Sequence, residues 1–187
     1  SYDEGARDNE TWLYLSALGR VKRLASGSSD DETEPGSLFG SEFSTEDQDT
    51  GKLDEYEINL LEETLESGRE VWKIETIPNE KRARQSRYSR TVLYIDKERF
   101  VELRVEMYDQ YGKEIKRMLG ARVELMNGIW VARSTTIMNL VTNRLSNMAF
   151  LEMHTGIDVP DEFLTQRTLT DAAFRETELE KLRAQID

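Results

Sequence analysis

The sequence predicts a mainly β protein of the α+β class, built on a curved antiparallel sheet, and three observations carry that prediction. From Arg90 onward, apolar and polar residues alternate with period two. Asn127-Gly128 separates the apolar runs Val123-Glu124-Leu125-Met126 and Ile129-Trp130-Val131-Ala132. It is a strong hairpin signal, because both residues tolerate positive φ. No βαβ spacing interrupts the series, so successive strands should turn directly into one another. The expected sheet is a meander of about eight strands, running roughly over residues 53–155.

The elements follow in order. The stretch from Thr11 to Leu24 reads as a short aromatic strand running into a basic strand. Residues 25–36 form an acidic, Gly/Ser-rich loop. The next loop, Gly36 to Ser44, carries Leu38, Phe39 and Phe43 among glycines and serines, where loops are normally polar. Ser44-Thr45-Glu46-Asp47 is read as the cap of a short loop helix over residues 40–47. Leu53 to Leu61 and Glu70 to Ile77 form a hairpin across Glu66-Ser67-Gly68. Val92 and Tyr94 mark one face of the next strand, Leu93 and Ile95 the other. Val101, Leu103, Val105 and Met107 are assigned a common face, with Glu102, Arg104 and Glu106 opposite. Lys113 to Leu119 follows, then the Asn-Gly hairpin, then strands over Ser134 to Thr142 and Leu145 to Thr155. Asp171 caps a C-terminal helix over residues 171–185.

A chain of 187 residues fits one domain. The net charge of −12 is lopsided: residues 1–70 hold 19 acids against 6 bases, and the remainder is nearly balanced. A nucleic-acid partner is not expected, because such binding rests on neutralising phosphates. Lys81-Arg82-Ala83-Arg84-Gln85-Ser86-Arg87 is the local basic patch, read as a solvated connection or as a dock for an acidic partner or anionic lipid surface. The absence of cysteine excludes thiol chemistry and disulfides. No apolar run approaches the ~18 residues that a membrane span needs. The opening Tyr2-Asp3-Glu4-Gly5 reads as a turn within an excised fragment of a longer precursor, with any signal peptide upstream.

Catalysis is not expected. His154 is the one histidine and is placed in a strand, and no Gly-x-Ser-x-Gly elbow accompanies it. No glycine-rich phosphate loop precedes a helix. Asp30-Asp31-Glu32 lacks the ligand spacing of a calcium loop, so neither metal nor cofactor is expected. Apolar surface remains. Each strand is greasy on one face, while one good helix and one apolar loop are available to cover the sheet. A twisted sheet of this length curls and leaves an apolar trough, unless helices fill it as ordinary core. The loop with Leu38, Phe39 and Phe43 is either a gate over that trough or a packed plug. Met107, Met118, Met126, Met138, Met148 and Met153 offer adaptable contacts or plain core.

At this point the chain resembles a known family. Trp12-Leu13-Tyr14-Leu15-x-Ala17-Leu18-Gly19-Arg20-Val21-Lys22-Arg23, followed by Ser37-Leu38-Phe39-Gly40-Ser41-Glu42-Phe43-Ser44-x-Glu46-Asp47, is similar to bacterial outer-membrane lipoprotein-sorting proteins of the LolA-like superfamily. Ser16 departs from the pattern, where the family usually has proline. Arg90 to Glu98, Tyr108-Asp109-x-x-Gly112-Lys113, Asn127 to Val131 and Val159-Pro160-Asp161-x-Phe163-x-x-Arg167-x-Leu169 also fit, in consistent order. The resemblance implies a LolA-like incomplete half β-barrel whose greasy interior binds acyl chains. It further implies a periplasmic carrier of lipids or lipidated proteins in Gram-negative bacteria. Association with resistance-nodulation-division-type transporters would make the alternative a module that docks onto such a transporter. The expected hydrophobic site comprises Trp12, Tyr14, Leu38, Phe39 and Phe43, the strand residues Val101, Leu103, Val105 and Met107, and Trp130.

Overall fold

The computed structural model describes residues 11–15, 19–24, 37–38, 40–48 and 51–186. In chain order the elements are β1 (Thr11–Leu15), β2 (Arg20–Leu24), α1 (Thr45–Gln48), β3 (Tyr56–Glu66), β4 (Arg69–Pro78), α2 (Glu80–Ala83), β5 (Arg90–Asp96), β6 (Glu102–Tyr108), β7 (Glu114–Met126), β8 (Ile129–Asn139), β9 (Arg144–Ala149), α3 (Gln166–Thr170) and α4 (Ala172–Arg183). Contacts divide the chain into two compact units. One comprises Ser1–Ser26 with His154–Asp187, the other Gly27–Met153.

In the first unit β1 and β2 pair antiparallel, with Trp12 opposite Arg23 and Tyr14 opposite Val21. Gly19 supplies the positive φ of their turn. The predicted C-terminal helix is α4. Its cap is Asp171, whose Oδ1 accepts the Phe174 N–H at 3.0 Å.

The second unit is a seven-stranded antiparallel meander in the order β3-β4-β5-β6-β7-β8-β9. Both predicted tight turns form: Ser67-Gly68 and Asn127-Gly128 take positive φ at both positions, the twist that suits a two-residue hairpin. Two expected breaks do not occur. The run expected over Lys113 to Leu119 begins at Glu114 and is continuous with Val123 to Met126 in one strand, β7, and Ser134 lies within β8. Arg122 takes a left-handed φ of 52° within β7 without ending it. The last strand stops at Ala149, so His154 is exposed and lies outside any strand.

The assignment of Val101, Leu103, Val105 and Met107 to one face is overturned. Tyr94 pairs with Arg104, but the next residue, Ile95, pairs with Glu102. One extra residue, Leu103, is thus accommodated in β6 as a bulge, and the side-chain alternation shifts there. Val101 and Leu103 pack with Val71, Val92 and Tyr94, whereas Val105 and Met107 pack with Tyr88 in a second cluster. Beside this bulge, β6 and β7 approach closely: a Cβ on Gly120 would lie 2.3 Å from the Glu102 carbonyl oxygen. Gly120→Ala is therefore expected to lower stability by about 1–3 kcal/mol. An unchanged urea midpoint would show that the two strands part freely.

Candidate functional site

Strand register separates two unlike faces of the seven-stranded sheet. One carries a row of cross-strand partners, Leu60–Ile74–Leu93–Val105–Met118–Ile137, that crosses β3 to β8 and ends on Ser146 of β9. Trp72, Ile95, Met107 and Met148 flank it on the same face. The opposite face carries Glu62–Lys73–Tyr94–Arg104 along one row and Glu75–Val92–Glu106–Arg117 along the next. Its charges neutralise one another laterally. Lys73 meets Glu62 at 2.9 Å and Arg90 meets Glu75 at 3.0 Å. The Arg104 guanidinium lies 3.8 Å from the Tyr94 ring centre and that of Arg90 3.7 Å from Tyr108. That face also packs a core, since Val92 and Tyr94 are buried there with Val71 and Leu103. The apolar row differs in carrying no charged member from β3 to β8.

Burial changes along that row. Leu60 on the edge strand is 60% exposed, Ile74 and Leu93 are half-buried, and Val105 and Ile137 are buried. Ile58, Leu61 and Leu65 extend the exposed apolar surface along β3. The apolar face is thus open at β3 and closed towards β8.

Closure at that end involves the loop that carries the unusual apolar residues, here called the strap. Phe43 is 4% exposed. The Glu42 N–H donates to Ser146 Oγ at 3.0 Å, and its carboxylate accepts from Asn139 Nδ2 (2.8 Å) and Arg144 Nε (3.1 Å). Glu46 accepts from Ser86 Oγ at 2.6 Å and from the Arg87 N–H at 3.0 Å. The Asp47 carboxylate accepts from Lys116 Nζ (2.9 Å), from the Ser44 N–H (2.6 Å) and Oγ (2.8 Å), and from the Tyr88 hydroxyl. Lys116 Nζ also donates to the Glu42 carbonyl at 2.9 Å. Burial pushes the Tyr88 phenol well above its ordinary range, and the adjoining Asp47 carboxylate raises it further. The predicted single turn is α1, with Ser44 and Asp47 capping it reciprocally. The strap is a cover fixed by buried ionic bonds.

The expected site residues fall into four places. Val105 lies in the apolar row and Met107 beside it. Val101 and Leu103 lie in the other cluster, against which the half-buried Trp130 also packs, so these three leave the proposed face. Phe43 is buried in the strap and Leu38 is half-buried there, while Phe39 lies outside the described residues. Trp12 and Tyr14 belong to the β1–β2 hairpin of the first unit, Trp12 half-buried and Tyr14 more exposed. Sequence reasoning missed Leu60, Ile74 and Leu93 as site residues and the Asp47–Lys116 pair, and named Met118 only as one of six adaptable methionines. A period-two pattern around Ile74 and Leu93 was present, but both faces of those strands carry apolar residues.

Among the described residues no group of three or more His, Cys, Asp or Glu side chains is arranged to hold a metal. No described helix is long and apolar enough to cross a membrane.

An open antiparallel sheet with an apolar row across one face and a strap over its end defines a LolA-like fold, and solved structures agree. The chain is similar, at 28% identity and a TM-score of 0.75, to an outer membrane lipoprotein-sorting protein domain from Vibrio parahaemolyticus, over 86% of this chain and 66% of that one. A DUF1329 family protein from Desulfovibrio piger matches with a TM-score of 0.78 and 24% identity, over 90% and 68% of the two chains. A LolA superfamily protein from Nitrosomonas europaea matches with a TM-score of 0.58 and 15% identity, over 83% and 66%. The latter two likenesses establish the fold alone. A family model described as an uncharacterized protein matches residues 1–171, and the chain belongs to that family. It spans about two thirds of the length of the solved structures it matches. No curated protein matches it.

Proposed function

We propose that this chain is a non-catalytic periplasmic carrier that holds acyl chains of lipids or lipidated proteins against the apolar row, in lipoprotein sorting or hydrophobe export. The observation that carries this reading is the row itself, exposed at Leu60 and buried at Ile137. Removing hydrocarbon from water is worth about 0.8 kcal/mol per methylene, so a dry face suffices without a reacting group. Likeness to a lipoprotein-sorting domain supports the same reading. In this view cargo enters at the β3 end, because the strap end is locked by buried charge.

The test is uptake of a fluorescent fatty acid, with mass spectrometry of lipids extracted from the purified protein. Leu60→Asp, at an exposed position, is expected to weaken uptake by about tenfold or more without shifting the melting temperature. Protein that carries no lipid and takes up no probe would overturn the carrier reading.

One observation favours a second reading, docking onto a resistance-nodulation-division-type transporter. β3 is an 11-residue strand at the sheet edge, bearing exposed Ile58, Leu60, Leu61 and Leu65. Long apolar edges are ready templates for another chain. Lipid-free protein that captures a transporter through this edge, and loses it on Leu65→Lys, would favour docking over carriage.

A further inference from the structure

We propose that the cleft beneath the strap holds a small oxyanion, the carboxylate or phosphate head group of a single-chain lipid, with Arg87 as its anchoring cation. This rests on the carrier reading and adds the chemical class of the cargo's polar end.

The cleft, of about 200 Å³, has walls that include Ser37, Ser41, Arg87, Lys116, Asn139 and Thr142. Its other charges are matched. Lys116 is held by Asp47, and the Glu42 carboxylate is held by Arg144 and Asn139. Arg87 differs. Its Nε faces Glu46 Oε2 at 3.3 Å, but its Nη2 is buried with no hydrogen-bond partner. A buried guanidinium N–H without an acceptor is costly, and such groups in native structures call for an ion, water or ligand. The guanidinium fork is suited to carboxylate and phosphate oxygens, and the cation disfavours a quaternary ammonium head.

The cleft also adjoins hydrocarbon. Tyr88 and Ile115 line it, and both pack in the cluster of Val105 and Met107 on the apolar face. A polar cleft at the closed end of an apolar face has the layout of an amphiphile site. Burial and the neighbouring carboxylates act oppositely on the Arg87 guanidinium, which stays charged with a raised pKa.

The experiment measures displacement of a fluorescent fatty acid by palmitic acid, palmityl alcohol and palmitoyl lysophosphatidate. Wild type should bind one of the acids about tenfold or more tightly than the alcohol, and Arg87→Gln should erase that preference while leaving alcohol binding unchanged. Because Arg87 also bonds Glu46, Thr142→Glu provides a second variant. It places a carboxylate in the exposed β8–β9 turn at the cleft wall and should abolish the preference without lowering the melting temperature. Tighter binding of lysophosphatidate assigns phosphate, and tighter binding of palmitic acid assigns carboxylate. Equal affinity for acids and alcohol in wild type would overturn the oxyanion site and leave the carrier standing. Failure of all three to bind would overturn both.

Discussion

Lys116→Met is expected to lower folding stability by about 3–5 kcal/mol. Lys116 is 7% exposed, and its Nζ bonds both Asp47 and the Glu42 carbonyl. Its removal leaves the fully buried Asp47 carboxylate without its counter-charge, although Ser44 and Tyr88 still donate to it. Breaking one partner of a buried pair costs far more than the intact pair contributes, because the remaining charge has already lost its water. The loss should fall first on the strap. Urea denaturation measures the total, and amide exchange at residues 42–47 should rise before exchange in β5 to β8 does. A stability change under 1 kcal/mol would mean that Asp47 is solvated in solution and the strap loosely held. The same ion pair gives the strap its register, since Lys116 ties β7 to both ends of the segment Glu42 to Asp47.

The second large effect is at Asp96, the residue that closes β5. Its carboxylate is fully buried and accepts from Arg69 Nε (2.9 Å), Arg99 Nε (2.7 Å) and the backbone N–H groups of Glu98 (2.9 Å) and Arg99 (3.0 Å). Burial by itself would raise its pKa, but those two guanidinium groups and two backbone donors outweigh it and hold the group well below the usual carboxylate range. Asp96→Asn is expected to cost about 3 kcal/mol at neutral pH. The pH dependence has a definite sign. The folded pKa lies below the unfolded value of 3.8, so the charge contributes fully above that value and its contribution fades as pH falls beneath it. The gap between wild type and Asp96→Asn should therefore be flat above about pH 5 and narrow as pH falls below about 4. Denaturation curves at a series of pH values give the gap directly, and a constant gap down to about pH 2 would remove the ionic account.

Local chemistry made the turns legible. Gly68, Asn127 and Gly128 tolerate the positive φ that a two-residue turn needs, and both hairpins formed. The cap of α4 at Asp171 and the single turn after Ser44 were legible for the same reason, since each rests on bonds within three residues. Strand identity from β3 to β6 followed from alternation and from the lack of helix-length spacers, whereas β7 and β8 were each expected as two shorter strands.

The candidate site was legible only in part. The strap announced itself by Leu38 and Phe43 in a polar loop, but whether it gates or plugs depended on Lys116, Asn139 and Arg144. These residues and Ser146 lie 69 to 104 positions away from their strap partners, Asp47 and Glu42. Val101 and Leu103 were assigned to the wrong face because alternation propagates only while no residue is inserted. The bulge at Leu103 exists because β5 and β6 must meet on either side of it.

The sequence by itself determined the class of fold, the tight turns, the helix cap and the greasy surplus, because those depend on φ preferences and on hydrophobicity within a few residues. The tertiary structure decided which apolar residues form one row, which end of that row is open, and which charges fasten the strap. Register, bulges and ion pairing depend on strands distant in the chain, and each is fixed only when those strands are side by side.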